Sequence, residues 1–406
     1  MSRGAANTKA RRVVITGVGA VTPLGADANA LYEGWRDGRT AIEDGLARCA
    51  DFDPSDVLSP KEARRSDRFA QLAVAASEEA LAHAGWNGEP PHDPDRVGCV
   101  IGTGIGGLGT IETQHDVLRD RGAGRVSPLS VPLLMANAAT AALAMRHGLR
   151  GPAQTTVSAC AAGTDALGTA LRMIRAGDCD AVVAGGAESA LTPLALAAFA
   201  AMGAVSKSGV SRPFDARRDG FVMGEGAGVL VLEELEAAEA RGATVLAELT
   251  GYGASADAHH VTAPEPDGRG AARAIERALD DAGIGPAVLD YVNAHGTSTP
   301  LNDRAETEAL KTALGPVAYE VPISSTKSAI GHLLGGAGAV EAVATVLALR
   351  ARTAPPTLGY GEPDEGLDLD YVTDGPRSIG NGRPPLAMSS SFGFGGHNAV
   401  ICLAGW

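Results

Sequence analysis

TTVSACAAGTDALGTALRMIRAG, residues 155–177, runs from a β-branched stretch through a turn of small residues into a helical segment. Strand, tight turn and helix in succession form the unit from which α/β sheets are built. The turn puts Cys160 at a helix N-terminus, where free N–H groups and the helix dipole favour thiolate over thiol. Ala159, Ala161, Ala162 and Gly163 leave room beside the sulfur for a substrate. Most cysteines are small buried hydrophobes. Cys99, Cys179 and Cys402, in or beside apolar runs, fit that description, and Cys49 has no distinguishing context. Cys160 alone has the small-residue elbow.

The same rhythm continues in both directions. RRVVITGVG and RVGCVIGTG lie upstream, and DAVVAGGAE, GVLVLEEL, TVLAELTGYG, LDYVNAHG, VPISST and AVICLAG lie downstream. Apolar strands alternating with Ala-rich helical segments predict an α/β fold whose sheet is covered on both faces. Helices are expected over 67–84, 164–176, 270–282, 303–314 and 338–350. Near residue 250 the acidic helix EELEAAEARG gives way to a new strand, so two halves are expected, 11–250 and 251–406. With no Pro- or Ser-rich linker between them, they should pack closely.

Charge and composition narrow the function. The 406 residues carry a net charge of −14, which argues against general nucleic-acid binding. Aromatic residues make up only 4% while glycine numbers 53, so the core is expected to pack tightly from small side chains. Five scattered cysteines form no disulfide or zinc pattern, which fits a reducing cytosol and a cytoplasmic protein. The opening Lys9, Arg11 and Arg12 before VVITGVGAV imitate a signal peptide, but TGVGAVTPLG breaks any apolar helix there. Two uncharged stretches, 126–145 and 189–206, approach membrane-span length; their prolines and alanines mark them as buried structure of a non-membrane protein.

Three further strings carry chemistry. In YVNAHGTSTPLND, residues 291–303, His295 leaves the end of a buried strand, where open α/β sheets present functional groups. Thr297 and Thr299 offer hydroxyls to a polar ligand, and Asn302 or Asp303 is placed to cap the next helix. In ISSTKSAIGHLLGGAGAVEAV, residues 323–343, Lys327 and His332 flank a glycine hinge. A lysine in so apolar a segment needs a partner, Glu341 or another carboxylate. In MSSSFGFGGHNAVI, residues 388–401, Phe392, Phe394 and their glycines form a loop entering the last strand. A glycine-flanked N–H approaches a reacting atom closely, as an oxyanion donor must. A literal GxGxxG, Gly102 to Gly107, follows the strand VGCVIG. A dinucleotide site would want an acid ending a second strand about 20 residues on, and RDRGAGRVSP reads as a loop.

In order and chemistry, the four strings around Cys160, His295, His332 and Phe394 resemble those of the elongating β-ketoacyl-acyl carrier protein synthases, across Val13 to Leu403. The enzymes of dissociated fatty-acid synthesis are most similar, with type II polyketide ketosynthases close behind. The resemblance implies a thiolase-like fold, two similar α/β halves in a five-layered αβαβα arrangement. It also implies a decarboxylative Claisen condensation in which Cys160 receives an acyl chain from the phosphopantetheine of acyl carrier protein. His295 and His332 would hold the malonyl thioester and stabilise the enolate as CO₂ leaves, and Lys327 with Glu341 would organise the surroundings of His332. The N–H groups of Cys160 and Phe394 would form the oxyanion hole, with Phe394 also a gate. Thr297, Thr299 and Thr262 resemble phosphopantetheine contacts, Ile105 and Phe199 match acyl-pocket positions, and Phe392 borders the substrate.

No metal or cofactor is implied, since substrates arrive on the phosphopantetheine arm. The implied partners are acyl carrier protein and a second subunit, in a homodimer or a heterodimer with a chain-length-factor-like chain. The family docks its carrier near KEARRSDRF, where Lys61, Arg64, Arg65 and Arg68 cluster; a solvated helix face is the plainer reading of the same charges. Ala329, Ile330, Gly336 and His397 depart from the commonest pattern and bear on substrate preference. A degradative thiolase would need a second cysteine in FGFGGHN, which has none. A non-catalytic chain-length-factor-like subunit would lack the nucleophile, against Cys160 and both histidines.

Overall fold

The apolar runs pair into ten strands of one sheet in the computed structural model, which describes residues 11–406; Lys9 lies outside the described residues. The first five are β1 (Val13–Val21), β2 (Val97–Gly102), β3 (Ala153–Gln154), β4 (Ala181–Glu188) and β5 (Gly226–Glu234). The second five are β6 (Ala247–Ala256), β7 (Tyr291–Asn293), β8 (Ile323–Ser324), β9 (Leu386–Gly393) and β10 (His397–Gly405). Their order across the sheet is β8-β7-β9-β10-β6-β1-β5-β4-β2-β3. Outward from the β6/β1 seam, each side places the first, fifth, fourth, second and third strand of its own series. The pairings match as well, antiparallel twice and then parallel twice on both sides. The seam itself is only two pairs long, Val14 with Glu248 and Ile15 with Ala247. Two similar halves, joined edge to edge, are thus written in the topology although the sequence repeat is not visible.

Six of the helices matter most to the site: α1 (Arg68–His83), α2 (Ala162–Ala176), α3 (Pro193–Met202), α4 (Arg269–Ala282), α5 (Pro300–Leu314) and α6 (Ala337–Ala351). α1 covers the outer face of the first half against β1 and β5, and α4 covers that of the second against β6 and β10, with α5 beside it. α2 and α6 lie between, touching β4 and β5 on one side and β9 and β10 on the other. The result is the expected five layers, αβαβα. A helix in the middle layer faces protein all round and is apolar all round. Every residue of α6 from Ala337 to Leu349 is buried. The stretch Leu334–Ala351 is the one helical segment among the described residues long and apolar enough to cross a membrane, and 89% of it is inside the fold. Small residues permit this packing: a Cβ on Gly17 or Gly19 would meet an α1 carbonyl oxygen at 2.1 Å.

Three expectations need correction. The uncharged stretches 126–145 and 189–206 are not buried in the single chain; Val131 is 62% exposed, and on α3 Leu194 is 59% exposed. Absence of charge records that a surface avoids water without saying what covers it. The run AQTTVSAC contributes only Ala153–Gln154 to the sheet, because the chain turns early to build the cysteine elbow. The loop expected at Phe392, Phe394 and their glycines begins only after Leu386–Gly393, a central strand that includes Phe392 and pairs with both β7 and β10.

Candidate active site

Strand ends of both halves converge on Cys160. Ala159 takes a left-handed conformation, φ 50°, which sharpens the elbow and aims the sulfur at the pocket. Gly393 presses on that elbow, where a Cβ would lie 2.9 Å from Ser158 O and 3.1 Å from Cys160 N. The N–H of Phe394 is thereby directed at Sγ.

The two histidines arrive from the second half. His295 follows β7, and its N–H and that of Gly296 each donate to the buried carboxylate of Glu306 on α5, both at 2.7 Å. His332 follows the helical turn Lys327–Ile330 and Gly331, and is fixed by backbone bonds to Val222 (2.7 Å) and Gly224 (2.9 Å). Its Nε2 stands 3.0 Å from Cys160 Sγ. The two imidazoles are edge to face with centroids 5.4 Å apart, and Phe392 and Phe221 brace them at 5.7 and 5.4 Å. Both Nδ1 atoms are buried without a partner among the described residues, so a proton there would be an orphaned donor. We assign the proton of each neutral ring to Nε2, facing the pocket.

Electrostatics separate the groups. Burial, with the positive charge of Lys327 second, pushes both histidines well below their ordinary range and keeps them neutral. Burial raises the Cys160 thiol to about 11, against the pull of Lys327 and the Phe394 N–H. Burial of the sulfur therefore works against the thiolate that a helix N-terminus favours. Lys327 and Glu341 form a buried ion pair, and burial lifts the Glu341 carboxyl to about 7.

A cavity of about 540 Å³ opens above the sulfur, lined by Ile105, Phe199, Thr262, Thr297, Thr299 and Phe394 among others. Phe199 and Phe394 face each other with centroids 6.5 Å apart. Thr297 and Thr299 hydroxyls are 2.9 Å apart, and Thr299, not Asn302 or Asp303, caps α5. Asp303 instead accepts the Phe214 N–H at 2.8 Å. Of the basic cluster, Lys61, Arg64 and Arg65 are exposed. Arg68 departs from it: its guanidinium is spent on Glu225 at 2.8 Å and on Cys49 O at 3.0 Å, so it is part of the scaffold. The GxGxxG turn wraps a carboxylate of the chain itself, Glu188, where a nucleotide phosphate would sit.

Two domain models match the chain, the N-terminal domain of β-ketoacyl synthase over residues 46–238 and its C-terminal domain over 246–361. The chain belongs to the β-ketoacyl synthase family. This β-ketoacyl synthase is 47% identical to 3-oxoacyl-[acyl-carrier-protein] synthase 2 of Synechocystis sp., with 98% of each chain covered. Its fold matches a solved beta-ketoacyl synthase from Burkholderia phymatum with TM-score 0.89 and 36% identity, covering 98% of this chain and 100% of that one. It also matches, with TM-score 0.88 and 33% identity over 98% and 100%, a structure of a type II PKS acyl-carrier protein in complex with its ketosynthase.

Glu306 and Glu188 are the polar groups that sequence reasoning missed. Glu306 sits in PLNDRAETEAL, whose charges resemble a solvated helix face. Glu188 had a visible signal, a single carboxylate closing the apolar run AVVAGGAE.

If Phe199 limits the cavity, Phe199→Ala should lengthen the acyl chains accepted, at about 3–5 kcal/mol in stability if the site does not collapse. Product chain lengths, measured on variant that still unfolds cooperatively, decide it; an unaltered distribution removes Phe199 from chain-length control.

Proposed function

We propose that this β-ketoacyl synthase joins an acyl chain on Cys160 to a malonyl unit carried by acyl carrier protein, with loss of CO₂. The observation that carries the reading is the contact of Cys160 Sγ with His332 Nε2, 3.0 Å, with His295 beside it. Cys160 attacks the acyl thioester; the S–C bond to phosphopantetheine breaks, and the thiol proton ends on the departing sulfur. His332 Nε2–H and the field of Lys327 stabilise charge on Cys160 during this step. The cavity then takes the malonyl thioester, whose carbonyl oxygen meets the Nε2–H groups of His295 and His332. The C–C bond to the carboxylate breaks, CO₂ leaves, and the two donors hold the enolate oxygen. The enolate carbon attacks the acyl carbonyl, whose oxygen points to the N–H groups of Cys160 and Phe394, and the Cys160 sulfur is expelled as a thiolate that takes up a proton from water. Lys327 and Glu341 position these groups without touching substrate.

Thr297, Thr299 and Thr262, with Phe392, line the path of the phosphopantetheine arm, and Ile105 and Phe199 the acyl end. The relatives' names support fatty-acid chain elongation, and the polyketide neighbour supports the same chemistry in another pathway. The apolar face left by α3 and residues 126–145 suits a second subunit of the same fold, a further copy or a chain-length-factor-like chain. Unpaired, buried cysteines fit a cytoplasmic location. No cofactor enters the scheme. Incubation with acyl and malonyl carrier proteins tests it: a Cys160 acyl adduct by mass spectrometry and a β-ketoacyl product are expected, and absence of the adduct favours the non-catalytic subunit.

With a net charge of −14, an acidic carrier needs a local basic patch. Charge reversal in Arg64→Glu with Arg65→Glu is expected to raise KM for carrier-bound substrates about tenfold at physiological salt, and less at high salt. Reactivity toward small thiol reagents should not change. Unaltered carrier kinetics would remove the patch from docking.

A further inference from the structure

The fully buried carboxylate of Glu188 ends β4 and joins two adjacent loops that border the pocket. Its Oε1 accepts from Thr103 Oγ1 at 2.9 Å and from the N–H groups of Ile105 and Gly106 at 3.3 and 3.4 Å. Its Oε2 accepts from Gly104 N at 2.6 Å and from Gly335 N at 3.1 Å. The first loop carries Ile105 at the cavity wall, and the second follows His332 by three residues. The two loops are locked together, since a Cβ on Gly335 would lie 2.1 Å from Gly104 N. Nothing in the condensation scheme uses this carboxylate. Burial raises its pKa above the ordinary range, while hydrogen bonds from the two loops oppose the shift.

We infer that Glu188 is a positioning residue that fixes the Ile105 wall and the His332 turn to one another, so that the acyl length accepted and enolate stabilisation are set together. The His332 half of the inference rests on the condensation reading; the Ile105 half rests on geometry alone. Glu188→Gln keeps the shape but replaces one acceptor oxygen with an NH₂ group. If the NH₂ takes the Oε2 position it faces the N–H groups of Gly104 and Gly335; if it takes the Oε1 position it faces those of Ile105 and Gly106. In either orientation the Thr103–Gly106 turn loses an acceptor and must shift.

The test labels Cys160 with N-alkyl iodoacetamides of increasing chain length, which reads cavity depth without any condensation, and measures CO₂ release from malonyl carrier protein separately. In Glu188→Gln the chain length at which labelling falls off is expected to move, with rates near that limit changing about tenfold. Loss of the Glu188 charge, which helps raise the Cys160 thiol, should itself speed plain iodoacetamide labelling, so each longer reagent is read as a ratio to that rate, and CO₂ release should drop about tenfold. Thr103→Val, which removes one donor and leaves the carboxylate, should move the limit in the same direction by less, and decides the matter if the Gln variant does not fold. An unmoved limit in the folded variants, or a loss equal for every reagent including iodoacetamide, overturns the inference. Wild-type protein that releases no CO₂ overturns the condensation reading and the His332 half with it, while the labelling ladder still judges the Ile105 wall.

Discussion

Cys160→Gln is expected to abolish condensation while retaining or increasing CO₂ release from malonyl carrier protein. Acyl transfer needs a sulfur nucleophile, and glutamine has none. Decarboxylation needs only the donors that meet the developing enolate, His295 and His332, whose rings stand 5.4 Å apart beside the sulfur. The glutamine carbonyl would reach toward the N–H groups of residue 160 itself and Phe394, imitating the acyl thioester. Removing a donor should have the opposite effect. In that same background His332→Ala loses one of two Nε2–H groups, and a single such donor is worth about 10²–10³ in rate. Labelled malonyl carrier protein, followed as CO₂ and as acetyl product, reads both variants. Condensation by the Gln variant would remove Cys160 as nucleophile, and undiminished decarboxylation after His332→Ala would remove His332 from the enolate step.

These residues were legible because each stands where a periodic signal breaks. Cys160, His295 and His332 each stand near the end of an apolar run and beside a cluster of small residues, and backbone geometry forces such breaks at the ends of strands in an α/β fold. The fold itself was legible at the level of element type. Helices 67–84 and 338–350 were placed within a residue of Arg68–His83 and Ala337–Ala351, with Asp67 as the cap. What escaped notice depends on contacts distant in sequence. Glu306 belongs to a helix that looks solvated, and only its approach to the His295 turn shows the carboxylate to be buried. Arg68 looked like one of four equivalent surface cations, yet Glu225, far along the chain, claims it. The serines of Leu386–Gly393 disguised a central strand: Ser391 meets Thr164 at 2.8 Å, while the buried hydroxyls of Ser389 and Ser390 have no partner among the described residues. The Glu188 cradle has the glycine pattern of a phosphate loop without the acidic strand end a dinucleotide site wants, and the carboxylate inside it shows what the turn holds instead.

The buried pair Lys327–Glu341 should respond very differently to single and double replacement. Both side chains are 1% exposed and bonded to each other. Glu341→Leu leaves a cation without its counter-charge in the protein interior and is expected to cost about 3–5 kcal/mol of stability. Replacing both, Lys327→Met with Glu341→Leu, removes the two desolvation penalties at similar volume and should return stability to within about 1 kcal/mol of wild type, or above it. Activity should not return with it. The charge on Lys327 lowers the pKa of Cys160, so its loss leaves the sulfur further from thiolate and slows acyl transfer. It also lowers both histidines, which burial alone must then keep neutral. In the proposed scheme the pair therefore serves the reaction through its field, and it is costly to the fold only when broken. Denaturant unfolding, alongside the rate of Cys160 acyl-adduct formation, separates the two contributions. A double variant that is stable and condenses at the wild-type rate would reduce the pair to packing; a double variant as unstable as Glu341→Leu would show that the ion pair itself, not the unpaired cation, governs stability.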